Sequence, residues 1–544
     1  MKKKSLFGPF VSALLLFLQA VTLHVQAQEP APVIFVADTA GHFASAFKLA
    51  DYVGTSSTVL KVSGPLSGAD IDSIKSAVES QFIHLDLSDA QITDKGSYSY
   101  LHNTYPMEAN SIGRQMFYRL SSLESIKLPS SVVTIGYSAF YECLSLKSIT
   151  LPPALITIGN AAFCDTSLAD IEIPSTLKNI GYYAFSECDS LTSITLPSEM
   201  ELIDDYAFED CAFLESITMP STLTTMGYAV FSGCTSLESI TLPSSLTSLE
   251  QNTFSGCTSL TSITWPSQLT TLGKSVFYGC TSLESITLPS SLTSIGNSAF
   301  QNCTSLASID LPSQLTTLGY SAFRNCTSLE SITLPSSLTS LEQNTFSGCT
   351  SLTSITLPSS LTSLEQKTFS DCTSLESITL PSSLTSIGNS AFQNCTSLES
   401  IALPSQLTTL NSFVFYGCTS LASITLPSQL TTLDNSAFYD CTSLASITLP
   451  SSLASIGTNA FNGCTSLASI DLPSSLTSIS SNAFYNCTSL SSVTLPSSLT
   501  SIGSAAFSTC RSLTSIALPS SLTYIGSMRF TTARRWQASR CPIR

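Results

Sequence analysis

The 544-residue sequence predicts an elongated solenoid of short parallel strands, and three observations carry that prediction. The stretch Cys234–Gly256, C-T-S-L-E-S-I-T-L-P-S-S-L-T-S-L-E-Q-N-T-F-S-G, returns unchanged as Cys326–Gly348, 92 residues later. A second 23-mer, Cys280–Asn302, returns at the same distance as Cys372–Asn394, so a block of four 23-residue units has been copied whole, and diverged copies run from Phe117 to Phe530. Within each unit the apolar residues keep fixed places, as expected of coils that share one stacked core.

Each part of the coil has a physical reading. Leu237, Ile240 and Leu242 follow the pattern L-x-x-I-x-L. Ile240 and Leu242 alternate with Ser239 and Thr241, the period of a strand with one buried face. Pro243 cannot donate to a ladder and marks the strand exit. Leu246, Leu249 and Phe254 turn inward along the return path, and Cys257 opens the next coil. About seven core side chains per coil cannot be buried by one coil alone, so stacking must bury them. The expected class is an α/β-type repeat solenoid with one short parallel strand per coil and an irregular or short-helical return path. About 18 coils at roughly 4.8 Å would give a strand face on the order of 85 Å long, bent into an arc. Gly296, Gly319, Gly388 and Gly503 follow the return-path Ile or Leu and are assigned a turn with positive φ. Glu250, Glu342 and Glu365 occupy the same slot, so the requirement is soft.

In chain order, residues 1–27 read as a secretory signal: Lys2–Lys4, an apolar run from Leu6 to Leu18, then V-Q-A ending at Ala27. A secreted or cell-surface location follows. No Cys occurs before Cys143, which argues against a lipid anchor, and no later apolar run is long enough to span a membrane. Loss of Lys2, Lys3 and Lys4 takes the formal charge from −16 to −19. That acidity speaks against nucleic acid and anionic membrane surfaces as partners. Residues 28–104 lack the 23-residue period and read as an N-terminal cap. Helices are expected at Phe43–Val53 and Ala69–Ser80, with Ser67 and Asp70 as a capping box, and strands at Val59–Val62 and Phe82–Leu87. His84–Ile92, H-L-D-L-S-D-A-Q-I, looks like a degenerate coil. The regular array occupies 105–526. Its coil from Phe163 to Phe185 spans 22 residues, with the deletion beside Cys164, and Trp265 replaces a strand leucine and should bulge its coil. Neither irregularity carries a chemical motif.

The side chains that carry chemistry are sparse. Of 18 cysteines, 17 recur once per coil and Cys541 is the exception. Buried free thiols acting as small apolar side chains fit that periodicity; disulfides between adjacent coils and metal binding are the alternatives. Beyond the signal only His42, His84 and His102 remain, and the array has no histidine. Nucleophilic catalysis needs a base beside the nucleophile, and neither C-x-x-C spacing nor a phosphate-binding G-x-x-x-x-G-K-[ST] loop is present. The pairs Asp204/Asp205 and Glu199/Glu201 read as solvated carboxylates. No catalytic residue, metal site or cofactor is expected.

The outward strand positions offer the candidate binding face. Ser239, Ser262, Ser285, Ser308 and Ser331 form one column, and Thr241, Thr264, Thr287, Asp310 and Thr333 its neighbour. A third column, Glu238, Thr261, Glu284, Ala307 and Glu330, varies and carries most of the acid. Short hydroxyls offer many hydrogen bonds with little side-chain entropy to lose. Such a face suits a large protein or glycan touched weakly at many places by a monomeric array. The competing readings are strand solubility alone, a passive or antigenically variable surface layer, a flat ice-binding ladder, and an enzyme within 28–104.

The repeat L-x-S-I-T-L-P-S-S-L-T-S-I-G-x-x-A-F-x-x-C-T-S resembles the BspA-like (Treponema pallidum-type) class of leucine-rich repeats over residues 105–526, about three-quarters of the chain. K-V-S-G-P-L-S-G-A-D-I and H-L-D-L-S-D-A-Q-I look like the leading segment of such proteins in Bacteroidetes-type bacteria. The resemblance implies a leucine-rich repeat arc on a secreted or surface protein. It also implies adhesion to host matrix proteins such as fibronectin or fibrinogen, or co-aggregation, with no catalytic residues to carry over. The sequence departs from that class at its C-terminus, where no sorting or anchoring module is visible.

After Gly526 the period fails, and five of the last 16 residues are Arg. The segment 527–544 reads either as a polar cap or as the product of a frameshift, and codon logic favours the second. If Arg529, Arg534, Arg535 and Arg540 use CGN codons and Ser539 uses TCN, a one-base shift lets Met528–Pro542 read N-A-F-x-D-C-T-S-L-A-S-I-T-L-P, the repeat consensus. Resequencing the gene should show this repeat continuing downstream in the shifted frame; a downstream sequence without any such continuation overturns the reading.

Overall fold

A computed structural model describes residues 31–52, 55–101 and 103–527. The expected signal at 1–27, His102 and the tail from Met528 onward lie outside the described residues. The chain is a solenoid whose coils repeat about every 23 residues.

The solenoid starts within the N-terminal segment. β1 (Val33–Val36), β2 (Val59–Leu66) and β3 (His84–Asp86) pair in parallel in that order. β3 then pairs with Ser125–Lys127, the first three-residue strand of the array, in the register His84–Ser125, Leu85–Ile126 and Asp86–Lys127. The sheet of the N-terminal segment and the ladder of the array are therefore one sheet. Between β2 and β3 runs the helix Gly68–Ser80, which begins at the expected capping box. Its Asp70 is fully buried and accepts from the backbone N–H groups of Ser67, Gly41 and Ala44 at 2.7–2.8 Å, so one carboxylate ties two helix starts together. The helix expected at Phe43–Val53 is shorter: it covers His42–Ala46, and a single 3₁₀ turn follows at Leu49–Asp51. Phe47 leaves the helical path in an extended conformation, and its ring stacks between Phe43 at 4.4 Å and Tyr52 at 5.1 Å. Aromatic packing outweighs the modest helix propensity there. β4 (Ala90–Ile92) pairs with β2, and β5 (Ser97–Tyr100) and β6 (Asn103–Pro106) form a hairpin.

The array carries the predicted S-x-T strand in nearly every coil, with Ile buried between an exposed Ser and an exposed Thr, as at Ser239–Thr241. It also carries a second, two-residue ladder within the return path, at Ser248–Leu249, Thr271–Leu272, Ser294–Ile295 and onward. Two residues are too few for periodicity to reveal a strand. The return path otherwise consists of turns, and no helix occurs among the described residues of the array. The core residues read from the sequence are buried as expected: Leu237, Ile240, Leu242, Leu246, Leu249, Phe254 and Cys257 are each at most 4% exposed. The phenylalanines form a continuous ladder. Each ring from Phe117 to Phe507 stacks on the next, for example Phe323 on Phe346 at 5.6 Å and 4°. Such stacked pairs add about 0.5–1.5 kcal/mol each beyond area burial.

The first ladder breaks at several steps, among them the two irregular coils. The 22-residue coil has no strand at residues 169–173. At the other, the strand Ser262–Thr264 is not bonded to the strand Ser285–Thr287 that follows. There Trp265 is half-buried, edge-on to Phe277 at 5.9 Å, and Ile263 is not fully covered.

The glycines after the second strand correct the expectation of positive φ. Gly296, Gly319, Gly388 and Gly503 do not adopt it; a Cβ on each would lie within 2.6 Å of the backbone of the preceding coil. They are required by close approach between coils. Positive φ falls elsewhere, at Asn302 (63°), Asn325 (59°) and Asn394 (58°), where Asn tolerates it, and at Gly256 and Gly279 in the same slot. The second ladder breaks at each step from a glycine coil to a Glu or Asn coil: Gly227 to Glu250, Gly319 to Glu342, and Gly388 to Asn411. At the last step the Asn411 side-chain amide donates to the Ile387 carbonyl at 2.7 Å instead.

These two glycine environments separate experimentally. Gly296→Ala should cost about 1–3 kcal/mol by overpacking, whereas Gly279→Asn, with nothing within 4 Å of its Cβ, should stay within about 0.5 kcal/mol. Equal denaturant midpoints for the two variants would contradict the assignment.

Candidate binding face

The coil has several hydroxyl-bearing columns, and the structure shows which of them the fold itself consumes. The Thr after each Cys donates to the carbonyl of its counterpart one coil earlier, as in Thr350 to Thr327 at 3.2 Å. The second Ser of P-S-S-L donates to the preceding coil's Leu carbonyl, as in Ser360 to Leu338 at 2.6 Å. The Thr ahead of the second strand does likewise, as in Thr362 to Thr339 at 3.2 Å. These hydroxyls close backbone acceptors that neighbouring coils leave open.

The strand columns differ. Ser239, Thr241, Ser262, Thr264, Ser285, Thr287, Ser308, Ser331 and Thr333 are exposed, and among the described residues their hydroxyls make no internal hydrogen bond. The registers Ser239–Ser262, Thr241–Thr264, Ser285–Ser308 and Thr287–Asp310 place them in straight rows. Glu238, Glu284, Glu330 and Asp310 are exposed and have no cationic partner among the described residues, where every ion pair lies at or before Glu201. Thr261 is exposed but donates to the Glu238 carbonyl at 3.1 Å, so its hydroxyl is partly committed to the fold. All fourteen positions read from the sequence are exposed, and thirteen of them keep their polar side-chain atoms free of partners among the described residues.

The cysteines form an internal column. In the regular coils each thiol donates to the carbonyl of the phenylalanine one coil earlier, from Cys143 to Phe117 at 3.1 Å through Cys510 to Phe484 at 3.0 Å. All seventeen described thiols are free and buried. Burial pushes Cys143, Cys303 and Cys349 up to about 12, so these thiols stay protonated and poorly nucleophilic. Cys164 departs from the column. Thr166, 23 residues after Cys143, holds the usual slot, where its hydroxyl donates to Phe163 at 2.9 Å, and Cys164 stands in the slot of Tyr141 and lines a surface cavity. The missing residue falls not beside Cys164, as the sequence suggested, but after Ser167: Ser167 still bonds to Leu144, 23 residues earlier, whereas Ala169 bonds to Lys147, 22 residues earlier. No group of His, Cys, Asp and Glu among the described residues could hold a metal ion.

Comparison with known proteins fits this architecture. The profile of the BspA type leucine rich repeat region, six copies long, matches residues 110–238, 229–353, 316–445 and 431–537, which together span most of the chain. This chain belongs to the BspA-type leucine-rich repeat family. A leucine-rich repeat protein from Bacteroides ovatus is 27% identical, with 82% of this chain and 92% of that chain covered and a TM-score of 0.37. A leucine rich cell surface protein from Faecalibacterium prausnitzii is 25% identical, covering 76% and 87%, with a TM-score of 0.33. The Treponema pallidum leucine-rich repeat protein is 26% identical, covering 38% and 78%, with a TM-score of 0.26. A search of the curated proteins finds no match. Membership of the BspA-type family suggests protein–protein interaction as the role of the array. No helix among the described residues is long and apolar enough to cross a membrane.

Sequence reading missed two features of the BspA-type array. The strand columns were legible, but the split between consumed and free hydroxyls needs the coil geometry. The side-chain columns around the short coil could have been found by aligning Tyr118 and Tyr141 with Cys164 and Ser186 at the period of the repeat.

The thiol column predicts a clear chemical result. In a Cys541→Ser variant, an aromatic disulfide reagent should titrate essentially no thiol in the native protein and seventeen after unfolding without reductant. Fewer than seventeen would show oxidised pairs between coils; rapid native reaction would show that the column is not buried.

Proposed function

We propose that the protein is a secreted or cell-surface adhesin that uses its strand face to hold large protein or glycan partners through many weak contacts. The carrying observation is the repeated row of exposed hydroxyls and carboxylates that have no internal partner. Each coil offers the same donors and acceptors, so affinity accumulates by multivalency. Host matrix proteins such as fibronectin or fibrinogen are the partners that the family resemblance suggests. The role is non-catalytic: the array lacks histidine, and its thiols are protonated and buried. In this reading residues 28–104 cap one end of the stack, 105–526 form the working array, and the chain acts as a monomer.

The internal duplication supplies the test. Deleting residues 234–325 removes four coils and joins identical sequence to identical sequence, so register is retained. Binding of the full chain and the deletion to immobilised matrix proteins should be saturable, weaken with salt, and fall roughly tenfold or more on deletion. A triple change of Glu238, Glu284 and Glu330 to Thr, the native residue at positions 261 and 353 of this column, should weaken it further. Absence of binding by a folded monomer would leave the passive surface layer as the better reading.

A further inference from the structure

The short coil opens a bay on the outer side of the return path, away from the strand face. Its origin is readable in two side-chain columns. Just after the core phenylalanine the order along the stack is Tyr118, Tyr141, Cys164, Ser186; two residues before it, Gln115, Ser138, Ala161, Tyr183. One column turns from aromatic to small where the other turns from small to aromatic. The result is a cavity of about 500 Å³ floored by Ser138, Ala161, Cys164 and Ser186. Tyrosines wall both ends. Tyr118 stacks on Tyr141 at 5.0 Å and 11°, and Tyr182 meets Tyr183 edge-on at 4.2 Å.

The charge around the bay has one sign. Two residues after each core phenylalanine stand Glu142, Asp165, Glu187 and Asp210, in consecutive coils, and Glu187 and Glu209 line the cavity itself. Asp189 is close enough to raise Asp165, Glu187 and Asp210 further. Only Glu142 has a cation, Arg119, at 2.7 Å; Asp165, Glu187, Glu209 and Asp210 have none among the described residues. Burial and these like charges push Glu209 up to about 7 and raise Glu187, Asp165 and Asp210.

The neighbouring coils show what completes such a surface. Arg119 lies over the Tyr118 ring at 5.3 Å while it pairs with Glu142, and Arg114 lies over Tyr137 at 4.5 Å. The protein thus covers its first tyrosines with its own guanidinium groups, then repeats tyrosine and carboxylate without a cation where the cavity opens. A metal ion does not fit, since the carboxylates do not converge on one point. We propose that this bay is a binding site for a guanidinium or alkylammonium side chain of a partner polypeptide, stacked between the tyrosines and paired with Glu187 and Glu209.

The probe is acetyl-Gly-Arg-Gly-amide, with the Lys and Glu analogues beside it, titrated into the full chain at low salt. The Arg peptide should bind saturably at pH 8, the Lys peptide more weakly and the Glu peptide not at all. Affinity should fall between pH 8 and pH 5.5, because Glu209, pushed up to about 7, takes up a proton over that interval and loses its charge. Glu187→Asn with Glu209→Ser places at each position a residue native to the same slot of other coils, Asn302 and Ser232, so the fold is preserved. That variant should lose at least tenfold in affinity with its melting temperature unchanged or raised at pH 8. The strand-face triple variant should bind the Arg peptide normally, which separates this site from the adhesive reading. No saturable binding of the Arg peptide up to 20-fold above the millimolar range, or binding indifferent to both pH and the double substitution, overturns the proposal.

Discussion

Each coil presents apolar side chains on both of its flat sides, and only another coil of the same outline can cover them. The phenylalanine ladder shows how narrow that outline is: ring separations stay between 5.3 and 5.8 Å from Phe117 to Phe507. The thiol hydrogen bond to the preceding phenylalanine carbonyl and the backbone bonds between coils, such as Phe346 to Thr368 at 2.9 Å, depend on the same spacing. A side chain that changed the coil height would disturb all three at once. This is why the glycines after the second strand are needed for approach rather than for turn conformation, and why a Glu or Asn in their place coincides with breaks in the ladder.

The same constraint divides the polar residues. Threonines and serines on the turns and just ahead of the second strand face carbonyls of the adjacent coil and satisfy them, which makes them part of the packing. On the first strand the backbone already bonds to the neighbouring strands, so its hydroxyls have nothing left to satisfy inside the molecule. A composition rich in Ser and Thr thus performs two different tasks, closing the stack on the turns and facing outward on the first strand.

The short coil shows how much a single residue matters in a stacked fold. Where one position is missing between Ser167 and Leu168, one strand of the first ladder is lost, and in the same coil Thr166 holds the place of the column cysteine. Clefts of about 500 and 470 Å³ open on its two sides, the second lined by Lys147, Asp170 and Glu172. In a globular domain the neighbours could redistribute such a defect; in a solenoid each coil touches only the next, so the defect stays local and becomes a feature of the surface.

The sequence by itself determined the period, the strand carrying Ile240, the seven core positions of each coil, the capping box at Ser67 and Asp70, and the outward columns, because a repeated unit displays its inside and outside pattern many times over. It did not determine the second ladder, whose two-residue strands exist only through their partners in adjacent coils. Nor did it show that Phe47 would leave its helix for an aromatic stack, or that Gly296 answers to the backbone 23 residues away. Those features were decided by the tertiary structure, because each depends on the distance between coils, and that distance is set jointly by every side chain held in the stack.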